Sequence, residues 1–320
     1  MSSAIATPRL RLPRRPLVVA IPVVLGATLL LAMYVLAPNF FRPHNLLNIL
    51  VQASSLGVMA SGLTFVMLGG GIDLSIPASM AFAAVLGAFA MPVGGVVAGL
   101  LVMLAVGTSI GVFNGVAVAI FGMTPFVVTL ASMTVVGGAT VWLTNSQSLS
   151  DFPDAFFDLM LARPAGVPLA VILLLLTTVL ASVAVSATGF GRSLYAVGLN
   201  PRAARVARVN VRAVLLVSYG VSGLLAGLTA AMLTARLGSA SANLGTDGVV
   251  LDVVSACVVG GVSIYGGSGR PVGAVLGAVL VTLISNSLNL LGVSYFMTLV
   301  VKGIAIIGFI YLDRLTRAAG

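Results

Sequence analysis

The sequence predicts an all-α integral membrane protein with about ten transmembrane helices, on three observations. Of its 320 residues, 59% are hydrophobic and 7% charged; a soluble domain carries about 25% charged residues, so polar surface here is too scarce to cover a water-facing globule. Apolar runs recur from residue 17 to residue 312, most of them near the ~20 residues that cross a bilayer as a helix. The charges are lopsided, fifteen Arg and one Lys against seven Asp and no Glu, and most stand between the runs. A net charge of +9 suggests nucleic acid at first sight, and the apolar content excludes it. The single Cys257 rules out a disulfide framework and the single His44 a multi-histidine metal site. No cofactor is expected.

The first run, 17–37, follows Arg9, Arg11, Arg14 and Arg15 and imitates a secretory signal. It is longer than the ~7–15 residues of a signal's apolar core, and no small-residue cleavage site follows. It reads as a retained first helix behind a basic arm, 1–16. The remaining runs are 49–68, 76–91, 95–120, 125–143, 167–186, 213–235, 250–265, 272–291 and 296–312, all within one membrane domain, 1–320. If each crosses once from a cytoplasmic N-terminus, twelve Arg fall inside: 9, 11, 14, 15, 192, 202, 205, 208, 212, 270, 314 and 317. Only Arg42, Arg163 and Arg236 fall outside. That asymmetry obeys the positive-inside rule and puts both termini in the cytoplasm.

Between the second and third runs, Gly69-Gly70-Gly71-Ile72-Asp73-Leu74-Ser75-Ile76-Pro77 breaks the apolar pattern. Irregular backbone survives at membrane depth only where protein shields it or it lines a cavity. Asp73 at a helix centre costs about 2.5–3.5 kcal/mol on insertion scales. Either the break lies at the inner face or Asp73 is buried with a partner, and Lys302, the other ionisable residue well inside a run, is one such partner.

The outward loop 145–166 sets Asp151, Asp154 and Asp158 beside Phe152, Phe156 and Phe157. It reads as a short interfacial helix with a solvated acidic face, or as a docking surface for an external partner. The inward segment 187–212 is strongly basic. Asn200-Pro201 is a helix start, Asn as N-cap and Pro at N1. From it Arg202, Arg205, Arg208 and Arg212 step by three, three and four along one stripe. The stripe serves topology and contact with phospholipid phosphates, or a protein partner.

Internal repetition is faint. Gly70-Gly71 returns as Gly260-Gly261, a parallel match, and Gly122–Phe126 resembles Gly292–Phe296, an inverted one that suits transporter architecture better. No G-x-x-x-x-G-K-[ST] is present, and Gly266-Gly267-Ser268-Gly269 lies between two membrane runs, so it reads as a tight turn. Clustered carboxylates and an H-E-x-x-H pattern are absent, and catalysis is not expected. Polar side chains inside the spans are scarce. Asn114, Thr129, Asn286 and Asn289 are therefore candidates for a solute pathway, or else for hydrogen bonds between helices worth about 0.6 kcal/mol each on average.

Five ordered motifs carry a resemblance that covers 38–313. They are Gly71-Ile72-Asp73-Leu74-Ser75; Asn114-Gly115 with Pro125-Phe126-Val127-Val128-Thr129-Leu130; Gly191-Arg192-Ser193-Leu194-Tyr195-Ala196-Val197-Gly198 leading into Asn200-Pro201; Gly260-Gly261 with Gly266-Gly267; and Asn289-Leu290-Leu291-Gly292-Val293 with Val300-Val301-Lys302-Gly303. On these the chain resembles permease subunits of bacterial ABC importers of the ribose/xylose type, the group that includes autoinducer-2 permeases. It departs from their pattern in four places: Arg202 stands where an acid usually follows Asn-Pro, Ile76-Pro77 replaces Val-Gly, Val209-Asn210 replaces Gly-Ile, and Gly248-Val249-Val250-Leu251-Asp252 lacks a Glu.

The resemblance implies a fold similar to type II ABC importers, in the bacterial inner membrane, working as a homo- or heterodimer of permeases. It implies a cytoplasmic ABC ATPase and an extracytoplasmic sugar-binding protein as partners, beside membrane lipid. The solute would be a monosaccharide, a related small polyol or autoinducer-2, moved by alternating access. Asp73, Ser75, Asn114, Thr129, Asn286, Asn289 and Lys302 would then be pathway or structural polar groups. Gly191, Arg192, Tyr195, Gly198, Asn200, Pro201, Arg202, Ala203, Ala204 and Arg205 would contact the ATPase, the small residues letting backbone sit close in its groove. The rival class is an ion-coupled secondary transporter, which needs no ATPase.

Overall fold

The computed structural model describes residues 14–245 and 247–318; the rest of the basic arm, with Arg9 and Arg11, lies outside the described residues. Twelve α-helices follow one another: α1 Arg14–Leu36, α2 Pro43–Leu68, α3 Ile76–Ala119, α4 Pro125–Thr144, α5 Asp154–Met160, α6 Leu169–Ala187, α7 Gly189–Leu199, α8 Pro201–Val206, α9 Val211–Leu237, α10 Asp247–Val259, α11 Pro271–Leu290 and α12 Tyr295–Ala318. Proline stands in the first turn of α2, α3, α4, α8 and α11, where its fixed φ suits the helix and its missing N–H has no helical partner to lose. Among the described residues, seven segments are long and apolar enough to cross a membrane: Pro43–Leu68, Ile76–Ala119, Pro125–Thr144, Leu169–Ala187, Val211–Leu237, Ala242–Val259 and Pro271–Leu290. Gly26–Leu36 and Tyr295–Ile304 are shorter apolar helical stretches.

α3 is two helices in one element. Its 44 residues would reach about 66 Å if straight, twice the hydrocarbon thickness. Gly95 breaks it at φ 77°, ψ 179°, a region that only glycine enters without strain. The halves fold back on each other, for a Cβ on Gly87 would meet Met103 and the Gly99 carbonyl. The tail of the run expected at 250–265 is not helical: α10 stops at Val259 and turns follow.

α3 and α9 make the most extensive helix contact. Gly107 and Gly111 of α3 interlock antiparallel with Gly223 and Gly227 of α9, and a Cβ on Gly107 would stand 2.3 Å from the Gly223 carbonyl oxygen. Apolar burial gives little drive between helices in lipid, so such backbone approach supplies the attraction. Behind this seam Cys257 of α10 is fully buried, its Sγ 3.3 Å from the Ala60 carbonyl of α2. α5 is the short helix expected in 145–166: Phe152, Phe156 and Met160 are buried while Asp151, Asp154 and Asp158 stay exposed.

Candidate functional site

Two polar sites occupy opposite ends of the bundle. At the end where α2 stops, residues 69–75 lead into α3 and carry Asp73, which is 3% exposed. Ser75 donates its backbone N–H at 3.0 Å and its Oγ at 2.6 Å to Asp73 Oδ1, the short-range closure typical of Asp before a helix. Ser222 Oγ of α9 donates to Oδ2 at 3.2 Å. Asn114 Nδ2 donates to Ser75 Oγ at 2.8 Å, and Ser132 Oγ of α4 donates to Asn114 Oδ1 at 2.5 Å. Thr129 Oγ1 and Tyr219 Oη each donate to the Ile72 carbonyl at 3.3 Å. Asp73, Ser75, Asn114 and Thr129 therefore form one buried cluster that ties the 69–75 loop to α3, α4 and α9.

The Asp73–Lys302 pair expected from the sequence does not form. Lys302 lies at the other end, where its Nζ stands 2.9 Å from each carboxylate oxygen of Asp252. Asp73 is satisfied instead by neutral donors, which a buried carboxylate needs in the absence of a cation.

The Asp252–Lys302 pair forms part of the wall of a cavity of about 540 Å³. It lies between the early turns of α2, α10 and α12 and the last turns of α9 and α11. Asn48 and Gln52 come from α2, Arg236 from α9, Ser285, Asn286 and Asn289 from α11, and Tyr295 and Thr298 from α12. Side-chain exposure is 11% for Lys302 and 23% for Asp252, so both face the cavity rather than bulk water. Asn286 and Asn45 exchange amide hydrogen bonds at 2.9 and 3.1 Å. Asn286 thus bridges α2 to α11 at the cavity edge. A second cavity of about 500 Å³, between α3 and α4, is lined by apolar side chains apart from Ser109 and Ser132.

Of the four Asn and Thr candidates, the structure places Asn286 and Asn289 on the open cavity and Asn114 and Thr129 in the filled cluster. Sequence reasoning missed Asn48, Gln52, Arg236, Asp252 and Tyr295. A signal existed in part: Asn45, Asn48 and Gln52 are spaced three and four apart, which puts them on one face of α2.

The basic segment folds as α7 and α8, at the Asp73 end. Asn200 caps α8 as expected, its Oδ1 accepting from the N–H of Arg202 and of Ala203 at 3.0 Å each. The four-arginine stripe is cut short: α8 ends at Val206, Arg208 adopts φ +62°, and Arg212 already belongs to α9. Three of the small residues, Gly191, Gly198 and Ala204, pack against this chain, while Ala203 is exposed. A Cβ on Gly191 would stand 1.9 Å from the Val185 carbonyl oxygen, and one on Gly198 equally close to that of Leu68. Ala204 is 3% exposed, in a cluster with Leu68, Leu194 and Val214. Their size is fixed by packing within this chain.

Tyr195 Oη donates to the Gly269 carbonyl at 2.7 Å. Burial pushes its phenol above the ordinary 10, against the opposing charge of Arg270. Among the residues that α7 and α8 present outward are Arg192, Leu199, Arg202, Ala203, Arg205 and Val206, with Val206 87% exposed.

A family profile described as branched-chain amino acid transport system / permease component matches residues 45–310. A ribose import permease protein of Bacillus subtilis is 40% identical over 290 residues, 89% of each chain. Its namesake in Escherichia coli K12 is 38% identical over 287 residues, 87% of this chain and 88% of that one. A D-allose transport system permease protein of Escherichia coli K12 is 32% identical over 283 residues, 88% and 86% respectively. No solved structure matches. With most of its length matched by that profile and by sugar permeases, the chain belongs to the permease-component family of ABC import systems.

Proposed function

We propose that this chain is the membrane-spanning subunit of an ATP-driven importer for a monosaccharide of ribose or xylose type, or a related small polyol or autoinducer-2. The observation that carries this reading is the polar cavity within an apolar bundle. It offers hydrogen-bond donors and acceptors from five helices around a space sized for a small hydroxyl-rich solute. Relatives named for ribose and allose import support the substrate class.

In this reading the chain is one permease domain that crosses the inner membrane ten times. The crossings are α1, α2, the two halves of α3, α4, α6, α9, α10, α11 and α12. The arginine count sets both termini and the Asp73 end in the cytoplasm, and the cavity in the outer half. A receptor protein delivers solute from outside, and a second permease copy or paralogue completes the pathway. Alternating access passes solute from cavity to cytoplasm. Arg202, Arg205, Leu199 and Val206 meet the ATPase, since exposed aliphatic side chains beside charge at a helical tip suit a protein contact.

The experiment is uptake into proteoliposomes containing the permease with its cognate ATPase and receptor. Uptake should require ATP, and Val206→Asp should uncouple hydrolysis from uptake while the permease stays folded. Uptake by the permease alone, driven by an ion gradient, would overturn the reading in favour of a secondary transporter.

A further inference from the structure

We propose that the cavity selects a solute carrying one carboxylate, a sugar acid in preference to the neutral sugar, and that Arg236 reads the carboxylate. This rests on the cavity being the solute site.

Three charged side chains line it: Arg236 and Lys302, positive, and Asp252, negative. Two minus one leaves the wall at +1. Lys302 is already engaged by Asp252, with both oxygens at 2.9 Å. The side chain of Arg236, an exposed residue, forms no ion pair or hydrogen bond among the described residues. Its place in the last turn of α9 lets the helix end balance part of the charge, and leaves its planar fork of N–H donors open. A carboxylate is the group that such a fork binds through two parallel hydrogen bonds. The rest of the wall suits a polyhydroxylated body. The amides of Gln52 and Asn289, which line the same wall, both donate and accept.

The test uses the purified full-length permease in lipid nanodiscs, with D-ribose, D-ribonate and ribose 5-phosphate as probes. Phenylglyoxal modification of Arg236 is followed by peptide mass spectrometry. Ribonate should slow modification at concentrations about tenfold below those at which ribose does, the discrimination expected of a charge-assisted pair. Binding measured by calorimetry should show the same order, and Arg236→Gln should bring ribonate to within about twofold of ribose.

Equal protection by ribose and ribonate, or protection by neither, overturns the proposal, as does a preference retained in Arg236→Gln. Tenfold better protection by ribose 5-phosphate would assign the site to phosphate instead and also overturn it. Protection only by an acidic receptor protein would make Arg236 a docking residue, with the same result. Because these readings need no ATPase, they fail separately from the uptake experiment above.

Discussion

Asp73 and Asp252 solve the same problem, an acid among apolar helices, in opposite ways. Asp73 accepts three hydrogen bonds from two serines within a cluster that leaves no space around it. Asp252 pairs with a lysine and turns the pair toward an open volume. The first arrangement locks, because removing any member strands the others in a dry site. The second tolerates exchange, because water or a solute can replace a lost partner. Polarity inside a membrane bundle therefore has to be read together with the space beside it.

The largest effect should come from Asp73→Ala. It leaves the Ser75 N–H, the Ser75 hydroxyl and the Ser222 hydroxyl without their acceptor, at about 1–3 kcal/mol each. Thermal unfolding in detergent should show a loss of several kcal/mol, with more than half restored by Asp73→Asn, which keeps an acceptor. Asp73→Ala as stable as the parent chain would erase the contrast.

Asn114→Leu should come next, at about 2 kcal/mol, since Ser75 and Ser132 both bond to that amide. Lys302→Met breaks a pair of the kind that costs about 3–5 kcal/mol when fully buried. With Asp252 23% exposed to the cavity, about 1–2 kcal/mol is expected after screening. Stability should return in Lys302→Met combined with Asp252→Asn, and uptake should not. The smallest effect belongs to Asp151→Ala, on the exposed face beside α5, within about 0.5 kcal/mol in the same unfolding assay. A larger loss there would mean that the acidic loop has a packing role.

Much of the bundle was legible because apolar runs and helix length are local properties. The fold-back in α3 was too, since Pro92, Gly94 and Gly95 interrupt an otherwise continuous run. Asp73 stood out by type, yet its partner Ser222 did not. A serine 149 residues away looks like any other in a chain rich in small residues, whereas Lys302 drew the eye by its charge. Asp252 hid near the edge of an apolar run, and the cavity has no single signature because five helices supply it. At Gly198 and Ala204 the requirement for a small side chain was visible, while the neighbour that imposes it was not. Both press on their own chain, so Ala204→Trp would overpack the permease at about 1–3 kcal/mol whatever Ala204 does at the ATPase. Val206→Asp is the cleaner substitution.

The burial of Cys257 has a practical side. The chain's one thiol is sealed between α10 and α2, out of reach of water-borne reagents. A cysteine introduced at Gln52, Asn289 or Val206 would then be the only reactive one, with the native residue left in place. Paired spin labels or fluorophores on the cavity rim and on the α8 tip would report, in one otherwise unaltered protein, whether the two ends open in turn.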